Sequence, residues 1–415
     1  MSSNKYTIRQ LFNIEACTRC GRCTEVCSAY NAKNDLAISP AKKIELLRKK
    51  IKKDTLWGKI LGSKGFTQKE SDLLTKAAYE CTLCSRCEID CPVNIDLQKL
   101  WVSLRSDLAD ESKSPEVLTF LKERLKKSYN ISFDTNEGRA NWVTAVKDIT
   151  EDKYVKEKAE VIYFVGCVSS FSPRVFKIPR SIVQIFKIAN VDFALLGDEE
   201  WCCGFPLLSS GFKQDFIDFA KHNIDKVNKT GAKYLVTSCP SCYHMWSHTY
   251  QELSKELSKD SNIDLKMNFK VLHIVQYLYE LVLNRQLKLY PLELKVTYHD
   301  PCDLGRNSGI YEEPRKLIKM IPKLKFIELE NNKEYAVCCG GGGNVEAVDS
   351  KLSEEIAKLK AQEIIKTNAD VVVTACQQCV RTILGALKKE NSKIKTMDIS
   401  ELILMSAQAN TQENI

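Results

Sequence analysis

From Glu160 onward, short apolar runs alternate with longer amphipathic stretches. Val161-Ile-Tyr-Phe-Val165 reads as a buried strand ending at Gly166-Cys167. A helical stretch to about Ile188 follows, then a strand over Val191 to Leu195. A helix over about Lys213 to Lys229 and a third strand, Tyr234-Leu-Val-Thr237, complete the unit. Strands alternating with helices predict an α/β unit with a parallel sheet. The pattern then recurs. Val296-Thr-Tyr-His-Asp300 leads to Pro301-Cys302, Phe326-Ile-Glu-Leu329 follows, and Val371-Val-Val-Thr374 comes last. The stretch from Phe219-Ala-Lys through Lys229-Thr-Gly-Ala232 aligns without a gap on Ile356-Ala-Lys through Lys366-Thr-Asn-Ala369. An internal repeat implies two similar units in a pseudo-twofold arrangement. A C-terminal helix, Ser400 to Ala407, is expected to close the second core.

The N-terminal part lacks this alternation. Its long spacer shows helical periodicity at Ile44, Leu47 and Ile51, and residues from about 105 to 158 are polar and charged. The expected fold is therefore multidomain: an α-helical domain followed by two related α/β domains. The boundaries are 1–125 for the helical domain, 126–158 for a linker, 159–290 for the first α/β domain and 291–415 for the second. The linker is assigned no chemistry, although Asn141-Trp142-Val143 is expected to pack back onto a neighbour.

Composition narrows the function. The chain has 415 residues and 18 cysteines. Met1-Ser-Ser-Asn-Lys-Tyr6 lacks the apolar core of a secretory signal, and no apolar run reaches membrane-spanning length. A reducing compartment is expected, in which dense cysteine points to metal rather than disulfides. The expected localisation is cytoplasmic, with peripheral attachment to the inner face of a membrane only through a partner. Net charge is +8, with the basic excess between Lys42 and Lys69. That excess reads first as a solvated helix face and second as a docking surface for an acidic partner or anionic lipid. Interleaved stacking aromatics are missing from it, so no nucleic-acid partner is expected.

The cysteines carry the chemistry. Cys17-x2-Cys20-x2-Cys23-x3-Cys27 is followed 53 residues later by Cys81-x2-Cys84-x2-Cys87-x3-Cys91-Pro92. This is ferredoxin spacing for two [4Fe–4S] cubanes, in which the fourth cysteine of each run ligates the other cluster. Cys17, Cys20, Cys23 and Cys91 are thus assigned to one cubane, and Cys81, Cys84, Cys87 and Cys27 to the other. Zinc prefers two separated Cys-x2-Cys pairs and does not suit this spacing. Ser28 stands where the pattern expects proline.

Each α/β repeat carries five more. Cys167 is followed after 34 residues by Cys202-Cys203-Gly204, and after another 35 by Cys239-Pro-Ser-Cys242. The second copy has Cys302, then 35 residues, Cys338-Cys339-Gly340, then 36 residues and Cys376-Gln-Gln-Cys379. Vicinal cysteines make poor structural disulfides but aim two thiolates at one polynuclear site. All three groups in each copy follow predicted strand ends, where ligands bind in parallel sheets. Five thiolates exceed the four that a cubane takes. Either one is spare or the cluster is a non-cubane form with an open face. Two such sites facing one cleft suit a disulfide, each engaging one sulfur while electrons arrive singly.

Taken together, these motifs and His299-Asp-Pro-Cys302 resemble the D-type polypeptide of heterodisulfide reductase, from about Leu11 to Met405. The resemblance implies that Cys167, Cys202, Cys203, Cys239 and Cys242 bind one non-cubane [4Fe–4S] cluster. Cys302, Cys338, Cys339, Cys376 and Cys379 would bind a second. These ten would be the catalytic cysteines of cysteine-rich CCG domains. The implied partner is a membrane b-type cytochrome or a flavoprotein, and the implied substrate a small thiol/disulfide pair or a protein sulfur carrier. Asp303 stands where relatives often have histidine, and Gln377 replaces the proline found at Pro240.

His299 is a candidate proton donor to a leaving thiolate. His244 and His248, spaced i, i+4, read as helix-surface or supporting residues. Gly340–Gly343 reads as close backbone approach to a cluster rather than a phosphate cradle. The lack of a dinucleotide fingerprint after any predicted strand leaves no expectation of flavin or NAD in this chain. The leading reading is an iron–sulfur oxidoreductase that reduces, or reversibly forms, a disulfide. The alternative is an electron-transfer component of flavin-linked glycolate, lactate or succinate oxidation. A zinc-stabilised interaction protein is the third class.

Overall fold

The computed structural model describes residues 5–54, 66–132, 134–145, 154–260 and 265–412. The chain forms two compact units. The first is built from Met1–Phe120, Pro206–Lys213 and Glu334–Lys360; the second comprises the rest.

The first unit is helical. Its helices Ile8–Ala16 and Gln68–Tyr79 both open with capping boxes, Thr7 with Gln10 and Thr67 with Glu70, which satisfy backbone donors left free at a helix start. Helix Leu97–Asp110 buries Leu97, Leu100, Trp101, Leu104 and Leu108, a stripe at helical spacing. Its Arg105 is fully buried and donates to the carbonyls of Ala78, Cys81, Ser209 and Gly343 at 2.6 to 2.9 Å. One side chain thereby ties together three segments far apart in sequence.

The basic stretch departs in part from the expected solvated face: Lys49, Lys52 and Lys53 are exposed, but three other basic residues are not. Lys43, Arg48 and Lys50 of helix Pro40–Asp54 are buried. The Lys43 ammonium lies 4.4 Å from the Trp101 ring centroid. Arg48 donates to the Cys17 carbonyl at 3.3 Å, and Lys50 pairs with buried Asp107 at 2.9 Å. Long basic stems bury readily when the charged head finds a partner. The parts of the basic stretch and of the expected linker at 55–65 and 146–153 lie outside the described residues.

The second unit holds two parallel four-stranded sheets. The first contains β1 (Val161–Phe164), β2 (Phe193–Ala194), β3 (Tyr234–Thr237) and β4 (Lys270–His273), in the order β2-β1-β3-β4. The second contains β5 (Lys295–His299), β6 (Lys325–Ile327), β7 (Val371–Thr374) and β8 (Lys395–Asp398), ordered β6-β5-β7-β8. Registers match as well: Ile162 pairs with Leu235, and Thr297 with Val372. In each sheet the connections leave the first strand to one side and return to the other. This creates a switch point between the two central strands, where a crevice opens at their carboxyl ends. Cys167 and Cys239 follow β1 and β3 there; Cys302 and Cys376 follow β5 and β7.

Both sheets share one apolar core, in which Phe186, Val236, Leu278, Val296, Val373 and Leu402 are all buried. Trp142 and Val143, in the stretch assigned to a linker, are fully buried in it. The C-terminal helix, Ile399–Gln412, is longer than expected and does more than close the second repeat. It packs along helix Lys177–Ile188 of the first, with Gln408 hydrogen-bonded to Gln184 at 3.3 Å.

At the end of β8, Asp398 is fully buried and accepts from the Ser400 backbone N–H at 2.9 Å and hydroxyl at 2.7 Å. Burial raises its pKa from 3.8 to about 7. A raised carboxyl stabilises the fold fully below its unfolded value, and that contribution is lost as pH rises through 7. The loss is on the order of 4 kcal/mol. Thermal unfolding of Asp398→Asn beside the native protein should therefore show the variant gaining relative stability from pH 5 to pH 8. A pH-independent difference would contradict this assignment.

Candidate metal centres

The helical unit presents two cysteine-lined cavities. Cys17, Cys20, Cys23 and Cys91 line one, and Cys27, Cys81, Cys84 and Cys87 line the other. The two loops carrying the close-spaced cysteines share a backbone pattern. Arg19 and Gly21 in one, and Leu83 and Ser85 in the other, have positive φ of 54° to 83°. Such left-handed residues let a loop wrap tightly enough to bring three thiols to one point. Burial pushes the Cys23 and Cys27 thiols up to about 11, and Cys87 is raised too. Two groups of four thiols, none in a disulfide, match the soft donor set of iron–sulfur clusters.

The second doublet belongs to this same unit. The Cys338 thiol hydrogen-bonds Cys339 and Cys84, and its pKa is raised to about 12, first by the Cys339 contact. The Cys338 N–H donates to Ser28 Oγ at 3.4 Å, which gives the serine in place of proline a partner. The glycine run has a steric cause. A Cβ on Gly342 would lie 2.6 Å from the Thr82 carbonyl, and one on Gly343 2.4 Å from the Cys81 carbonyl. The run packs directly on the loop that carries Cys81 and Cys84.

In the sheet unit, the first copy gathers all five of its cysteines. Cys167, Cys202, Cys203, Cys242 and Cys239 form a chain in which each thiol hydrogen-bonds the next. Contacts from Cys202 and Cys242 lower Cys203 to about 6, while Cys202 is raised although it accepts from Cys167. Gly166, at φ 78°, leaves room for this packing, since a Cβ there would meet Cys242 Sγ at 3.3 Å. Backbone around the doublet is fixed by Asn223 Nδ2 to the Cys202 carbonyl at 3.0 Å and the Tyr250 hydroxyl to the Cys203 carbonyl at 2.9 Å. Helix Pro240–His244 continues into a π-helical turn, Met245–Thr249, a local feature frequent at functional sites.

The remaining second-copy residues lie in the same unit. Cys302 follows β5, and the Cys379 N–H donates to Cys376 Sγ at 3.5 Å at the start of helix Gln377–Lys389. His299 is buried, with a ring nitrogen within 4.8 Å of Cys379 Sγ. Gln377 contributes what proline could not. Its Nε2 donates to Ser238 Oγ at 3.2 Å and the Val165 carbonyl at 3.4 Å, linking one repeat to the strand ends of the other. Asp303 accepts from the Ser241 hydroxyl at 2.5 Å, a second link of this kind. His244 bonds Ser308 Oγ at 3.3 Å and stacks on His248.

Sequence reasoning missed Arg139 and Glu200. Arg139 Nη2 lies 3.3 Å from Cys167 Sγ and 2.9 Å from Glu200 Oε1, and both side chains are 2% exposed. Glu200, two positions before the doublet, was the only local signal, an acidic residue entering a buried segment. Trp201 is sandwiched between Tyr129 and His222, with ring centroids 3.8 and 3.6 Å away.

Comparison with known proteins agrees with this geometry. The cysteine-rich CCG domain matches residues 161–247 and 296–383, and the 4Fe-4S dicluster domain matches 13–95. The D-type polypeptide of the dihydromethanophenazine:CoB–CoM heterodisulfide reductase of Methanosarcina barkeri is 30% identical, covering 97% of this chain and 96% of its own. The chain belongs to the D-type heterodisulfide reductase family. It is an iron–sulfur oxidoreductase with a helical dicluster domain and two CCG domains. The EtfAB:quinone oxidoreductase of Syntrophomonas wolfei is 27% identical over 95% of this chain, and the match spans 58% of that protein's length. A solved structure of a hypothetical protein from Helicobacter pylori shares the fold at 12% identity, with TM-score 0.54, over 85% of this chain and 66% of that one. Among the described residues, no helix of this family member is long and apolar enough to cross a membrane.

The glycine run provides a test. Gly343→Ala adds left-handed strain of about 1 kcal/mol and a backbone clash, so the total cost should exceed about 2 kcal/mol. Iron per chain should fall with it. Gly231→Ala, also at positive φ but with open space around the new Cβ, should cost only the strain and keep its iron. Equal behaviour of the two variants in thermal unfolding and iron analysis would remove the steric role of the run.

Proposed function

We propose that the chain reduces a disulfide, or forms one in reverse, using electrons that enter through the helical domain. The balanced step is RS–SR′ + 2 e⁻ + 2 H⁺ → RSH + R′SH. The observation that supports this reading is the convergence of five thiols in one copy, four of them buried and more than a cubane takes, within a chain that carries two such copies. Cys17, Cys20, Cys23 and Cys91 would hold one cubane, and Cys81, Cys84, Cys87 and Cys27 the other. Cys167, Cys202, Cys203, Cys239 and Cys242 would hold one non-cubane cluster, and Cys302, Cys338, Cys339, Cys376 and Cys379 a second. When bound, such clusters supply one-electron transfer and iron that binds sulfur.

The side chains around them have separable tasks. Contact between Cys84 and Cys338 brings a ferredoxin ligand against a doublet ligand, which supports electron delivery from the second cubane quartet to the second CCG site. The burial of both doublets keeps water from the sulfur chemistry. The burial of His299 beside Cys379 supports a role as proton donor to a leaving thiolate. The redox partner would be a membrane b-type cytochrome or a flavoprotein, with attachment to a membrane through the former. The match to a quinone oxidoreductase supports a second reading, in which the chain relays electrons for a flavoprotein that does the chemistry.

EPR titration of the anaerobically purified protein with candidate small disulfides separates these readings. Disulfide reduction predicts a new signal on addition of one disulfide, and loss of turnover in Cys203→Ala and Cys339→Ala with the ferredoxin signals retained. Spectra indifferent to every disulfide, with reduction by a flavoprotein partner, would favour the relay. Disulfide turnover unchanged in both variants would exclude the doublets.

A further inference from the structure

A buried cation at the first CCG site comes from the stretch read as a linker. Arg139 lies in the 3₁₀ segment Asn136–Ala145, fully enclosed. Its Nη2 reaches Cys167 Sγ at 3.3 Å, and its Nε and Nη2 reach Glu200 Oε1 at 3.0 and 2.9 Å. Nη1 donates to Asn136 Oδ1 at 2.9 Å. Glu200 is itself held rigidly. Its Oε2 accepts from the Val165 N–H at 2.9 Å and its Oε1 from the Gly166 N–H at 2.8 Å, so the strand end preceding Cys167 clamps the carboxylate that aims the arginine.

At the positions that build this device, the second copy carries other residues. The position two residues before its doublet is Ala336, and Pro301 before Cys302 has no N–H to clamp a carboxylate. Its buried arginine, Arg315, directs all its groups elsewhere. Nη1 and Nη2 pair with Asp300 at 2.8 Å, Nε and Nη2 with Glu328 at 2.6 and 3.0 Å, and Nη1 with the Tyr311 carbonyl at 2.7 Å.

We propose that Arg139 is a positioning and tuning residue that raises the reduction potential of the iron–sulfur centre at Cys167, Cys202, Cys203, Cys239 and Cys242. An N–H donor and a buried positive charge at a ligand sulfur both favour the more negative, reduced state of a cluster. In a site that excludes water, the charge is little screened. Glu200 opposes the effect with its own charge and fixes its direction by holding the guanidinium on the sulfur. The inference rests on these five cysteines holding an iron–sulfur centre, and not on the identity of the substrate.

EPR-monitored redox titration of the full-length, anaerobically purified protein tests it, with iron counted in every sample. Arg139→Gln should lower the reduction equilibrium constant of one set of signals at least tenfold, a downward move of 59 mV for a one-electron couple, and leave the other sets in place. Arg139→Lys, which keeps the charge, should recover part of that shift. Glu200→Gln should move the same signals upward. Opposite shifts separate electrostatic tuning from loss of structure, which would disturb both variants alike. Iron-replete variants with no shift, or with shifts in one direction, would overturn the proposal. Should Arg139→Gln fail to load iron, Glu200→Gln decides: an upward shift supports the proposal and an unmoved potential overturns it. Native protein without iron would instead defeat the underlying reading of the site.

Discussion

Five thiols, four of them buried, packed into one crevice at the carboxyl ends of β1 and β3 impose the constraint that shapes the sheet unit. Thiolates at such spacing repel one another and lose their hydration, so the arrangement is costly unless cations compensate it. The split within the chain of thiols, with Cys203 lowered to about 6 while Cys242 is raised, shows how closely they interact. Much of the surroundings serves this crowding. Gly166 makes space, Asn223 and Tyr250 fix the doublet's backbone, and Arg139 brings positive charge. A duplicated parallel sheet supplies the frame, because its switch point opens where the cysteine loops leave the central strands.

A related constraint governs the helical unit. Its two cysteine quartets need loops that turn tightly, and these loops are held by carbonyl contacts rather than by regular strands. Arg105 does this from inside helix Leu97–Asp110, donating to the Cys81 and Gly343 carbonyls together. The glycine run and the second doublet are thus seated on the same loop as a ferredoxin quartet. Cys84 and Cys338 touch as a consequence. The two units are not strung in sequence order: segments of both CCG repeats belong to the helical unit.

Much of this is legible in the residues. The helix Lys213–Lys229 and the strands Tyr234–Thr237 and Val371–Thr374 stand where periodicity places them, because their apolar runs are uninterrupted and their ends carry turn residues. Strands β4 and β8 are not. Lys270-Val-Leu-His273 and Lys395-Thr-Met-Asp398 mix polar with apolar residues, and only the neighbouring strand makes them sheet. The burial of Lys43 and Lys50 is hidden for a similar reason, since charge patterns along a helix cannot reveal Trp101 or Asp107 waiting across the core. Arg139 is hidden most deeply. No spacing rule connects an arginine in a polar stretch to a cysteine 28 positions later.

The central claim is that eighteen cysteines serve four iron–sulfur centres, two in the helical domain and two in the CCG repeats. Iron and sulfide analysis with Mössbauer spectroscopy on the anaerobically purified chain tests it most directly. The account predicts about sixteen irons per chain, with a fraction distinct from ordinary cubanes. A value of about eight, confined to ordinary cubanes, or zinc in place of iron would contradict it.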